Sequence, residues 1–217
     1  VKGWNLSFLR EERGFAVLAA FLIIAPLLLL AMEGLSGMGT AVFSADVDVQ
    51  EAAAFAAKAA AMQVTSKSQA DGKPRIDTSR AHAAFRDALA RNMGLDPATL
   101  APLSSSAYSS VKYWLVTYNG YDDYASEGAY GARYFQFNGT AATESSFPYS
   151  GFPAKFAVTT SGILWGAGGV RTVTLESPGV VVLVDATAKR VFGQGTVRSQ
   201  RWAAARIVCK EGTCSVQ

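Results

Sequence analysis

Histidine and cysteine are scarce in this chain of 217 residues, which has one of the former, His82, and two of the latter, Cys209 and Cys214. A zinc site needs more Cys or His ligands than that. A single histidine with no identifiable partner also gives a Ser-His-Asp scheme no footing. The Gly-x-Ser-x-Gly elbow and the phosphate-loop lysine pattern are both missing, and Gly193-Gln194-Gly195 is too short for a dinucleotide fingerprint. Asp122, Asp123 and Glu127 form the best carboxylate cluster, but they lack the alternating oxygen ligands of a calcium loop and read as a solvated loop. The formal charge of +3 is too small to point to nucleic acid. No internal repeat is present. The sequence therefore assigns no catalytic residues, no cofactor and no metal.

Charge is also missing from Phe15 to Met32, and this absence is informative. About 20 apolar residues at 1.5 Å per residue cover the ~30 Å hydrocarbon core of a bilayer, so the run predicts a transmembrane helix over residues 15–33. Pro26 lies inside it and predicts a kink. Lys2, Arg10 and Arg13 precede the run and the next basic residue is Lys58, which puts the N-terminus in the cytoplasm and the remainder outside. Ala31-Met32-Glu33 and Gly37-Met38-Gly39 match a signal-peptidase site poorly, so a retained anchor is expected over a cleaved secretory signal. The expected division is a cytoplasmic tip or leader over 1–14, a membrane helix over 15–33 and an extracytoplasmic domain over 34–217.

Beyond a Gly/Ser-containing stalk at 34–47, the alanine-dominated stretch Val49–Ser66 predicts a helix with Phe55, Ala59 and Met62 on one face. That face suits either close packing on the domain or lateral contact with another subunit. Residues 67–76 read as an exposed loop. A second, amphipathic helix runs from Thr78 to Met93, capped by Asp77 or Thr78 and stopped by Gly94, with Asp87 placed to pair with Arg91. His82 lies beside its apolar stripe as a surface or boundary residue. Strands follow at Val111–Tyr118, Arg133–Phe137, Lys155–Thr160, Arg171–Glu176 and Gly179–Val184, punctuated by Asn119-Gly120, Asn138-Gly139 and Pro178-Gly179. One or two more are expected in Arg190–Val208. The fold class is α+β: a transmembrane helix, an alanine-rich helix and an amphipathic helix, then a mostly antiparallel sheet.

Three features suggest contacts. All eight tyrosines lie between Tyr108 and Tyr149, and Trp114, Tyr121 and Tyr124 are candidate recognition residues for a glycan or protein; aromatic preference for strands is the plainer account. From Arg171 to Gln217 seven Lys/Arg face Glu176, Asp185 and Glu211, a surface suited to anionic wall polymer or lipid headgroups, or simply a solvated one. Cys209 and Cys214 flank Lys-Glu-Gly-Thr, a spacing that brings their Cα atoms within disulfide reach; two free thiols or half of a metal site are the alternatives.

The first 65 or so residues resemble the TadE-type components of tight-adherence pilus systems and other pilin-like proteins. The resemblance rests on Arg13-Gly14 before the apolar run, the Phe-Ala-Val-Leu-Ala-Ala-Phe start, Pro26 followed by Leu27 to Leu30, Glu33 at the exit, and the alanine-rich Ala52–Met62. It implies a membrane-held minor pilin or assembly component that works through other pilin-like or pilus-assembly subunits. It also implies leader cleavage between Gly14 and Phe15. Where such proteins usually carry a glutamate a few residues into the run, Leu18-Ala19-Ala20 stands here.

Overall fold

A computed structural model describes residues 12–217 apart from 71, 121–130, 149, 162–167, 190–194 and 211–212. Side-chain surroundings are described for these residues except 12–19, 34–47, 67, 209–210 and 213–214. Three helices come first: α1 (Glu12–Ala61), α2 (Ser66–Ala70) and α3 (Thr78–Met93). Eight strands follow: β1 (Tyr108–Tyr118), β2 (Arg133–Phe137), β3 (Ala142–Ser146), β4 (Ala154–Thr160), β5 (Gly169–Leu175), β6 (Gly179–Lys189), β7 (Thr196–Lys210) and β8 (Thr213–Val216).

The α+β class with a mostly antiparallel sheet holds, but the transmembrane helix does not. Among the described residues no helix is long and apolar enough to cross a membrane. Residues 15–33 are not a separate element. They belong to a helix of fifty residues that passes Glu33 and Gly34 without a break and runs through the expected stalk into the alanine-rich segment. A single-pass anchor is therefore not supported.

Six strands form one antiparallel sheet in the order β3-β2-β1-β6-β7-β8, while β4 and β5 pair as a separate ribbon. Period-two alternation divides the sheet's side chains between its two faces. Val111, Tyr113 and Leu115 of β1, Val180, Val182 and Val184 of β6, and Ala203, Ala205 and Ile207 of β7 share one core with α1 and α3. Their neighbours Val116, Tyr118, Val181, Leu183, Trp202 and Ala204 look the other way, onto Phe156, Val158, Val173 and Leu175 of the ribbon. The sheet is thus covered by helices on one face and by a β-ribbon on the other.

The amphipathic helix α3 spans the predicted residues. The Asp77 carboxylate accepts from the Arg80 N–H at 3.0 Å, and Gly94 ends the helix in the left-handed conformation with φ of 64°. Gly120 also needs a positive φ, 73°, and a Cβ there would come within 2.4 Å of the Phe152 ring. The exposed loop expected at 67–76 instead contains α2.

Candidate functional site

Inside the domain, α1 packs with its smallest residues. Ala52, Ala53, Ala56, Ala57, Ala60 and Ala61 are fully or almost fully buried in the main core, and this end of the helix lies on α3, β6 and β7. Alanine contributes little apolar area per residue but lets the helix approach the sheet closely, and the cost in side-chain entropy is nil. Gln50 secures the same contact by donating its Nε2–H to the Trp202 carbonyl at 3.2 Å.

The large apolar residues of this segment point the opposite way. Phe55 is 57% exposed and Met62, just past the helix end, is 66% exposed. Ala59 lies between them, half-buried. The predicted Phe55–Ala59–Met62 face therefore exists as a face, and it faces outward. Nearer the N-terminus the same helix carries Phe21, Leu22, Ile23, Ile24, Leu27, Leu28, Leu29, Leu30 and Met32, each more than half exposed. Phe21 to Ile24 are consecutive and therefore 100° apart around the axis, so this part of α1 is apolar on all sides. Patches above a few hundred Å² on a protein surface mark contact sites.

The other residues predicted from sequence are dispersed. Gly14 and Phe15 fall in the first turns of α1, where side chains are outside the described residues. Trp114 is half-buried in mid-β1 on the ribbon face, opposite Gln136 on β2 and Leu183 on β6. Tyr121 and Tyr124, like Asp122, Asp123 and Glu127, lie outside the described residues. Tyr108, Tyr113 and Tyr118 are core residues, so part of the tyrosine-rich segment serves packing. The Tyr118 hydroxyl donates to the Ser150 carbonyl at 2.5 Å and accepts from the Ser150 N–H at 2.9 Å. Cys209 and Cys214 occupy opposed positions in the β7–β8 register.

His82 is a boundary residue. Its ring stacks on Phe135 with centroids 4.0 Å apart, and its Nε2 lies 2.6 Å from the Tyr113 hydroxyl. Burial, then the charge of nearby Arg86, lowers its pKa to about 4, so it is neutral at physiological pH. Burial raises the Tyr113 hydroxyl to about 12.

Sequence reasoning missed two polar arrangements. Asn119 accepts from the Ile76 N–H and donates to the Ile76 carbonyl, both at 2.9 Å, and so pins the segment before α3 to the end of β1. Asp185, 6% exposed, receives two bonds from Arg198 at 2.8 and 2.5 Å and one from Gln200 Nε2 at 2.9 Å. Gln200 Oε1 in turn accepts from the N–H and hydroxyl of Ser161 at the end of β4. Burial alone raises the Asp185 pKa, but these hydrogen bonds and the charges of Arg198 and Lys112 outweigh it and hold the carboxyl below its usual range. Arg206 pairs with Glu176 at 2.9 Å, so two cations of the basic C-terminal stretch serve internal contacts. Neither arrangement has a sequence motif, because each joins residues from separate elements.

A cleft of about 310 Å³ opens between α1, the end of α3 and the start of β1, lined by Asp48, Glu51, Asn92, Ser105 and Tyr108 among others. Burial, then the Asp48 charge, pushes the Tyr108 hydroxyl up to about 12. No protein-family model, no curated protein and no solved structure matches the chain.

Proposed function

We propose that this chain is a pilin-like assembly subunit that acts through protein–protein contacts, with the outward apolar residues of α1 packing against the helices of neighbouring subunits. The observation that carries this is the inverted polarity of α1, which places alanines inward and Phe55 and Met62 outward. A helix that only had to complete its own domain would bury its large apolar residues, because burial stabilises by about 25 cal/mol per Å². The resemblance of the first 65 or so residues to tight-adherence pilus components supports the same conclusion, since it implies a subunit that works through other pilin-like or pilus-assembly subunits.

Sedimentation equilibrium of the full chain in a mild non-ionic detergent tests the proposal. The native chain is expected to self-associate, and Phe55→Glu with Met62→Glu to weaken association by about tenfold or more, as loss of a central apolar contact costs upwards of ~1 kcal/mol. The melting temperature should stay nearly unchanged, because both side chains are exposed. A native chain that is monomeric at all concentrations contradicts the proposal, and so does one that binds lipid vesicles only as a monomer.

A further inference from the structure

The backbone of the last two strands carries an inference independent of the assembly role. Arg206 and Gln217 exchange both of their backbone hydrogen bonds, each 3.0 Å long, which makes them a hydrogen-bonded pair. The register continues as Ile207 opposite Val216, Val208 opposite Ser215 and Cys209 opposite Cys214. Antiparallel ladders alternate between hydrogen-bonded and non-hydrogen-bonded pairs. Counting from Arg206, Cys209 and Cys214 fall on a non-hydrogen-bonded pair. In such pairs the Cα atoms approach to about 4.5 Å, whereas bonded pairs stand at about 5.5 Å. Disulfides span Cα separations of about 4.4–6.8 Å, and a non-hydrogen-bonded pair stands at the near end of that range.

We propose that Cys209 and Cys214 form an intramolecular cross-strand disulfide that fastens β8, the last strand, to β7. Formation releases two protons and two electrons, and a disulfide-bearing oxidant accepts them. One cysteine thiolate attacks that disulfide and expels a thiol, and the second cysteine thiolate then attacks the mixed disulfide and expels the other. The oxidant leaves as two thiols and the chain as one closed hairpin. The clip has a structural purpose, because β8 pairs through only four residues. Over that length it shelters Ile207, a core residue, and packs Val216 against the same core. So short a strand, at the edge of the sheet and paired on one side only, opens readily unless it is tied down.

Intact-mass spectrometry with a thiol-alkylating reagent, applied to the full chain after incubation with oxidised glutathione, tests the proposal. Monomeric chain carrying no alkyl group before reduction and two after it supports an internal disulfide. Two alkyl groups without reduction, a glutathione adduct as the end product, or a disulfide-linked dimer each overturns it. Hydrogen exchange provides a second readout that needs no substitution. The Arg206 and Gln217 amides should exchange about tenfold or more faster after reduction, while the Val182 amide in the sheet centre stays unchanged. Equal rates in the two states at Arg206 and Gln217 would contradict the role of the clip in holding β8.

Discussion

His82 sits between α3 and the sheet as a neutral ring, and the consequence is a dependence of stability on pH. Its folded pKa is about 4, against about 6.5 when unfolded. Between those values the unfolded chain binds more protons, so stability falls as pH drops from 6.5 towards 4 and is unaffected by this group above 6.5. After a discount for the partial exposure of the ring, the loss is about 2 kcal/mol. Denaturant midpoints across that range should show the slope, and His82→Gln should flatten most of it. Asn119 makes a different prediction. Asn119→Ala leaves the Ile76 N–H and carbonyl without their partner in a buried setting, and each such loss costs roughly 1–3 kcal/mol. A urea titration should register about 3 kcal/mol of destabilisation in total.

Element by element, legibility in the sequence tracks how local the governing forces are. The helix α3 was readable to its ends because its cap, its stop and its apolar stripe are all near neighbours in the chain. Asp77→Ala should cost about 1 kcal/mol by removing the bond to the Arg80 N–H. Gly94→Ala should cost a similar amount, about 1 kcal/mol, because φ there is positive; thermal melts of both variants check this. Strand β2 is readable residue for residue and β4 nearly so, since alternating burial in β4 is written as alternating polarity; β5 is readable to within two residues, and β6 only over its first half, Gly179–Val184, because its burial on both faces leaves no alternation to follow to Lys189. Strand β3 was not legible. All five of its residues are exposed and polar or small, and it is a strand only because β2 offers a pairing edge. Nor was the helical state of 34–47 decidable from a segment rich in glycine and serine. The alanine-rich face was recognised, but periodicity alone does not say which side of a helix meets the sheet, and here the large residues lie outside.

At the scale of the whole molecule, one helix divides between two tasks. Its alanine side closes the core against α3, β6 and β7, and its large apolar side chains remain on the surface. The apolar run itself was plain in the sequence, but its meaning as a membrane span was not sustained. Its continuity with a domain helix is a property of the whole chain that no local window contains. The division predicts opposite phenotypes for adjacent positions. Ala57→Leu, at a fully buried site, should overpack the interface and cost about 1–3 kcal/mol. Phe55→Ala, two residues away, should leave stability within about 0.5 kcal/mol in chemical denaturation.

Photo-cross-linking tests the central claim most directly. A benzophenone side chain placed at position 55 of the full chain should yield, on irradiation, a covalent dimer joined through α1. The same group at Lys155, exposed on the β-ribbon, should leave the chain monomeric. Equal cross-linking at the two positions, or none at position 55, would contradict the assignment of the outer face of α1 as the assembly surface.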